Sequence, residues 1–358
     1  MRSIILKNHL NTSLVSRMIL WHYNFYIRRK GRPVISGIYL TDGCNCRCVM
    51  CSIWKTSKPL VYPRAAQEKA IDVLSKAGCY YYSISGGETT LVKDLIDRLE
   101  YASRKIPYVH VVTNGLTMSS ELARSLGKSG IKEISVSIDG AAEFHNFMRG
   151  LPYAFERAWN AVDLLRTYAP NIKVVVNSIL TPYNLDSLSI LGKLLDQRKG
   201  VLQKYLPLTF HELFKSSGAN VDNLPGHFSP PAEMEMFLDQ AISNRRIINS
   251  PAFLRKAKRY FQGDQNILNE QKECIYPYFA VEFDPEGRAY PCRAGNDFKN
   301  GLSADEDLEA YFESDTYRKN QTALRKCAKC RGCMMLCYYE PRLNFPVHKW
   351  LYYSFARS

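Results

Sequence analysis

The stretch YLTDGCNCRCVMCSIW, residues 39–54, places Cys44, Cys46, Cys48 and Cys51 within eight positions. It follows directly on VISGIYL (34–40), a short apolar run with β-branched residues that reads as a buried strand. Thiols this close together suit a zinc site, a strained disulfide or the ligand loop of an iron–sulfur cluster. Three of them, Cys44, Cys48 and Cys51, have the spacing Cys-x3-Cys-x2-Cys, and Cys46 is out of step.

The surroundings narrow the choice. The N-terminus MRSIILKNHLNTS has no continuous apolar core and no small-residue cleavage site, so no secretory signal is read there. No apolar run approaches the roughly 18–20 residues that cross a bilayer. The chain is therefore expected in the cytoplasm, where thiols stay reduced and eleven cysteines argue for metal over disulfides. They fall in two groups, four at 44–51 and six at 274–337, with Cys79 alone. The 358 residues, 46% hydrophobic, suffice for one large α/β domain and a smaller appendage.

From residue 34 onward short β-branched runs alternate with amphipathic stretches. Strands are expected at 34–40, 80–85, 108–113, 133–138, 173–180 and 205–213. Helices are expected near 64–77, 92–105, 119–129, 154–168, 184–198 and 232–244, with Asn184 and the SSE at 119–121 as starting signals. Six strand–helix units in a row give a parallel sheet, with every strand's C-terminal end on one edge. On that edge lie, in succession, the cysteine loop, GGETT (86–90), TNG (113–115) and DG…HNFMRG (139–150). Glycine and asparagine serve turns in any case, but four successive loops loaded with chemistry exceed what turns require. Residues 274–337 differ: two β-like runs flank the hairpin turn DPEG, followed by the tightly spaced CAKCRGCMMLC (327–337).

Three thiolates on a [4Fe–4S] cluster leave one iron open to a small-molecule ligand. The Cys-x3-Cys-x2-Cys loop after the first strand, GGE after the second and SVSIDGAAEFHNFMRG at the fourth together resemble the radical SAM superfamily across about 34–213. The resemblance implies a partial (β/α)6 barrel. It also implies a cluster on Cys44, Cys48 and Cys51 that reduces S-adenosylmethionine to a 5′-deoxyadenosyl radical, which takes hydrogen from an unactivated carbon. By the same resemblance Gly86, Gly87 and Glu88 hold the amino group of SAM. Ser137 and Arg149 meet its carboxylate or ribose, Met50 packs on adenine, and Asn114 and Asp139 complete the set of cofactor contacts. The charges suit these assignments, ammonium to Glu88 and carboxylate to the forked Arg149. Two departures stand out: Met50 occupies a position commonly aromatic, and Thr89 follows the glutamate where proline is common, so a looser loop is expected. Cys46 is read as a non-ligand.

The second cysteine group resembles a SPASM or twitch extension carrying auxiliary clusters. Cys274, Gly287 and Cys292 match its first half. Cys327, Cys330, Cys333 and Cys337 form a compressed second half that lacks a last downstream cysteine. Six thiolates fit one or two clusters, and zinc remains an alternative for 327–337. The chain thus divides into an N-terminal amphipathic helix (1–33), a radical SAM core (34–245), a basic linker (246–273), a SPASM/twitch-like iron–sulfur domain (274–340) and an aromatic, basic tail (341–358).

For the substrate the preferred expectation is a lipid or isoprenoid-linked molecule. Residues 9–29 wound as a helix put Leu10, Leu14, Met18, Trp21 and Phe25 on one face, with basic residues following at 28–32, as an interfacial helix would. Packing of the same helix across the barrel, and a peptide or protein substrate, is the alternative. The net charge of +14 suits an acidic electron donor such as flavodoxin or ferredoxin, or a membrane surface. No nucleic-acid-binding signature is present.

Overall fold

The computed structural model describes residues 31–208, 224–264, 274–293, 301–302 and 306–327, with Ser16, Ile19, Tyr23 and Met334. Its centre is a sheet built from β1 (Ile35–Tyr39), β2 (Tyr81–Ser85), β3 (Tyr108–Thr113), β4 (Glu133–Ser137), β5 (Lys173–Leu180) and β6 (Leu202–Pro207), all parallel and adjacent in chain order. Each strand alternates because its two faces meet different surroundings. Ile38, Leu40, Ile84, Val111, Ile134, Val136, Val174 and Val176 point into one continuous core. That core is completed by helices α1 (Arg64–Ala77), α2 (Leu95–Lys105), α3 (Ser120–Lys128), α5 (Ala154–Tyr168) and α6 (Leu185–Asp196). The short helix α4 (Ala142–Arg149) lies between β4 and α5.

The sheet does not close on itself. The free edge of β1 is taken by a hairpin, β7 (Ala280–Phe283) parallel to β1 and β8 (Ala289–Tyr290) antiparallel to β7. DPEG makes the expected turn, with Gly287 at φ +87° and its N–H donating to Asp284 O. At the far edge the backbone of β6 is covered by the segment that follows helix α7 (Pro231–Ser243). Gln203 N donates to Arg246 O and Ile248 N to Gln203 O. The Asn249 amide then takes the Tyr205 N–H at 2.7 Å and donates to Tyr205 O at 3.0 Å, as a neighbouring strand would. The result is the partial six-stranded barrel expected, extended by two C-terminal strands.

Four expectations need correcting. The sixth strand starts earlier than 205–213, at Leu202, and runs to Pro207 with Leu208 N still donating to Leu180 O; residues 209–213 of that expectation lie outside the described residues. Its start is hidden by two polar residues, Gln203 and Lys204, which nonetheless pair with Val176 and Asn177 on β5. HNFMRG, read as loop, is the body of α4, signalled by Phe144 and Met148 one turn apart and both buried. Within the basic run after 245, residues Pro251–Phe261 form helix α8, capped by Ser250 Oγ on Phe253 N–H and opened by Pro251. Its lysines and arginines obscure an apolar face of Phe253, Leu254 and Ala257, which packs on α7. Ser119 caps α3 as expected, but the Asn184 side chain makes no cap and bridges Thr181, Ile179 and Asp139 instead. The interfacial helix proposed for 9–29 lies outside the described residues apart from Ser16, Ile19 and Tyr23. Among the described residues no helix is long and apolar enough to cross a membrane.

If α8 belongs to the core, Phe253→Ala should cost about 3–5 kcal/mol through the cavity it leaves. The check is the denaturant midpoint of the purified protein, which should fall with little change in slope.

Candidate active site

The loop leaving β1 is pinched shut at its neck. Thr41 Oγ1 donates to Leu60 O at 2.7 Å, and the Asp42 carboxylate takes Leu60 N–H at 2.6 Å. The four cysteines therefore project from a closed loop with fixed ends. The loop after β2 lies directly on it: Gly87 N donates to Thr41 O and Glu88 N to Gly43 O. A Cβ on Gly86 would stand 2.4 Å from Thr41 O, and one on Gly87 only 2.1 Å from Gly43 O. Both glycines are thus required for one backbone to approach another, a reason separate from any ligand.

Glu88 is buried and its carboxylate faces inward. Oε1 accepts from Thr90 N (3.1 Å), Thr90 Oγ1 (2.6 Å) and Thr113 Oγ1 (2.6 Å), and Oε2 accepts from Asn114 N at 2.7 Å. Asn114 in turn donates its side-chain amide to Asn45 Oδ1 at 2.7 Å, joining the β3 loop to the cysteine loop. Thr89, expected to loosen this region, ties it to β3 by donating to Val112 O at 2.8 Å. Three successive loops are stitched together by one carboxylate and one amide.

In the fourth loop Arg149 meets a protein partner. Its fork is occupied by Asp139, with Nε to Oδ2 at 2.8 Å and Nη2 to Oδ1 at 3.0 Å. The remaining Nη1 lies 3.9 Å from Cys48 Sγ. Arg149 and Asp139 therefore face each other and the cysteine loop. Asp139 is fixed further by Ile179 N–H on Oδ1 and by its own N–H donating to His145 Nδ1. Burial holds His145 far below the usual imidazole range, at about 3, so it is neutral. Ser137, half-buried at the end of β4, pairs in register with Asn177. Met50 belongs with Val49, Ile179, Tyr183 and Leu208 to a small apolar group around Phe144, Met148 and Leu224.

The cysteines differ in ways that suit their proposed roles. The Cys46 thiol, buried, hydrogen-bonds the sulfurs of Cys44 and Cys48, which pushes its own pKa up. The same contact draws Cys44 down, and Cys48 to about 7 with help from Arg149. Burial raises Cys51. One loop thus offers three thiols at the expected spacing, with a guanidinium beside the most buried of them. This donor set fits a group that takes thiolates, and a [4Fe–4S] cluster is such a group. In the C-terminal part, Cys274 N donates to Arg325 O at 2.7 Å, bringing Cys274 to the end of the helix α9 (Asp315–Arg325) that leads to Cys327. Cys292 is buried just after β8. Cys330, Cys333 and Cys337 lie outside the described residues.

A polar floor inside the barrel went unread. His110 Nδ1 lies 2.9 Å from the hydroxyls of Tyr81 and Ser83, and Nε2 lies 2.7 Å from Ser135 Oγ. Glu133 accepts from the Tyr108 hydroxyl and pairs with Lys173. Burial alone would raise the Glu133 carboxyl, but Lys173 and Lys204 hold it below the usual range. Burial keeps His110 neutral, at about 3. The signal was present in the period-two pattern: Tyr81, Ser83, Ser85 and Glu133, Ser135, Ser137 are every second residue of their strands.

Comparison with known proteins agrees with this geometry. Residues 38–193 match the family described as Radical SAM superfamily. An AdoMet-dependent heme synthase of Methanosarcina barkeri is 32% identical over 153 residues, which is 42% of this chain and 43% of that relative. The chain thus spans less than half the length of this relative. The mycofactocin maturase MftC of Mycobacterium ulcerans is 26% identical over a longer span, 73% of this chain and 68% of the relative. Among solved structures, SuiB of Streptococcus suis bound to its precursor peptide SuiA superposes with a TM-score of 0.65 at 17% identity, covering 93% of this chain and 77% of that one, a likeness of fold. With the cysteine loop, the GGE loop and the β4 loop on one edge of a partial barrel, residues 38–193 are a radical SAM domain.

Proposed function

We propose that the protein is a radical SAM enzyme that modifies a peptide or protein side chain. When bound, the [4Fe–4S] cluster and SAM supply a 5′-deoxyadenosyl radical able to take hydrogen from an unactivated C–H bond. The chain's own residues hold and enclose these groups. Cys44, Cys48 and Cys51 are the cluster ligands, and Cys46 keeps its proton. SAM is held by the backbone of Gly86 and Gly87, by the remaining acceptor position on Glu88 Oε2, by Ser137 and Asn114, and by the partly exposed Met50. Arg149 and Asp139 serve the cluster loop instead. Cys274, Cys292, Cys327, Cys330, Cys333 and Cys337 hold one or two auxiliary clusters. An acidic low-potential donor of the flavodoxin or ferredoxin class docks on the basic surface.

The observation that carries the peptide reading over the lipid reading is the extent of the likeness to MftC. The heme synthase matches over 42% of this chain, whereas the match to a maturase covers 73% of it. SuiB, of similar fold, was captured with a precursor peptide. The lipid reading rests on residues 9–32 and on the aromatic, basic tail.

Reduced, reconstituted protein should convert SAM to 5′-deoxyadenosine, measured by chromatography. Cys48→Ala should abolish this, while Cys46→Ala should keep most of it; equal loss in both would overturn the ligand assignment. Gly87→Ala, by forcing Gly43 aside, should lower the rate on the order of 100-fold. Sedimentation with anionic liposomes tests the substrate class, using the full chain and one lacking residues 1–30. The peptide reading expects no binding that depends on those residues. Binding lost on truncation, with 5′-deoxyadenosine formation retained, would return the substrate to lipids.

A further inference from the structure

The C-terminal end of α4 is pressed against the cysteine loop. Two carbonyls at that end, Met148 O and Arg149 O, accept the N–H groups of Val49 and Arg47 at 3.0 Å each. Gly150 turns away at φ +67°, where a Cβ would meet Arg47 O at 2.3 Å. Cys48 is therefore gripped on both sides by a helix terminus whose partial charge is negative. Such a terminus disfavours added electron density on a neighbouring thiolate. The cation that answers it is Arg149, in the same last turn, with Nη1 3.9 Å from Cys48 Sγ.

We propose that Arg149 and Asp139 form a buried charge pair that sets the reduction potential of the group held by Cys44, Cys48 and Cys51, Arg149 acting through Cys48 as a positioning residue. This rests on the reading above that those cysteines hold a [4Fe–4S] cluster. The Arg149 side chain is 12% exposed and that of Asp139 is 0% exposed, so solvent screens the pair weakly. Neither partner can swing away. The Asp139 carboxylate also takes Ile179 N–H, its backbone N–H donates to His145 Nδ1, and its carbonyl accepts from Asn184 Nδ2. The pair acts on a single step: one electron from a low-potential donor takes the cluster from its 2+ to its 1+ state, with no bond made or broken. A guanidinium N–H aimed at a ligand sulfur draws off electron density and eases that step. The Asp139 carboxylate opposes it.

The two partners therefore have opposite signs, which a merely structural pair would not. The test uses full-length protein reconstituted anaerobically, with iron and sulfide counted. Reductive titration is followed by electron paramagnetic resonance, taking only the signal that the triple variant Cys44→Ala, Cys48→Ala, Cys51→Ala lacks. Arg149→Gln should make reduction harder by at least tenfold in the reduced-to-oxidised ratio at fixed potential, which for one electron is 59 mV. Asp139→Asn, nearly isosteric and still able to accept from Arg149, should make it easier by a similar factor. If Arg149→Gln fails to load its cluster, Asp139→Asn alone decides by the sign of its shift. Shifts in the same direction, or both smaller than tenfold, would overturn the proposal. A wild-type protein lacking any signal that the triple variant removes would instead overturn the cluster reading beneath it.

Discussion

Everything at the reactive edge depends on the contact of two backbones, the turn after β1 and the turn after β2. Thr41 O and Gly43 O accept consecutive N–H groups from Gly87 and Glu88, at 2.6 and 2.7 Å. Only residues without a side chain allow that separation, since a Cβ at Gly87 would overlap the Gly43 carbonyl. The contact fixes where the cysteine loop starts. It also turns Glu88 inward, where one carboxylate satisfies donors from Thr90, Thr113 and Asn114. A buried carboxylate is costly unless hydrogen-bonded, and with four donors Glu88 becomes the fastener of three loops.

The chain's alternation made most of this frame readable. β3 and β5 begin and end where the β-branched runs do, because each such run is bounded by residues that break a strand. The start of β6 was misplaced because Gln203 and Lys204 are polar, yet both pair with β5. Helix α8 was concealed by a different mismatch: its basic residues dominate the composition, while Phe253, Leu254 and Ala257 supply the buried face. The loops were legible as chemistry but not as contacts. Glu88 and Arg149 are both charges that suit SAM, and a linear sequence does not say which partner each meets first. In the folded chain both meet protein groups, Glu88 the donors of neighbouring loops and Arg149 the carboxylate of Asp139.

Those internal contacts change the meaning of the motif residues. On the proposed reading the loop holds three thiolates, which repel one another. Relief comes from two kinds of neighbour, the Cys46 thiol hydrogen-bonded to Cys44 and Cys48 and the guanidinium of Arg149. A fourth cysteine that looked redundant by spacing thus sets its single S–H proton between Cys44 and Cys48. The residues of SIDG…RG support the cysteine loop from behind, through Met148 O, Arg149 O and the Arg149 guanidinium.

The C-terminal segment is not an appendage to this arrangement. β7 is paired along β1, Ile35 to Ala280 through Ile38 to Phe283, and β1 leads directly into the cysteine loop. The same hairpin is flanked by Cys274 and Cys292, one preceding β7 and one following β8. A single pair of strands therefore stands between the two thiol-bearing regions. Arg293, next to Cys292, stacks its guanidinium 4.2 Å above the Tyr39 ring, and its N–H is taken by Glu282 on β7. Tyr39 is the last residue of β1 and, by the alternation of that strand, faces the barrel interior, opposite the buried Ile38 and Leu40. The C-terminal region thereby places a cation at the interior mouth of the barrel, beneath the loop that carries Cys44, Cys48 and Cys51. The cysteine loop and the hairpin are thus both positioned by β1, one through its C-terminal end and the other through its edge.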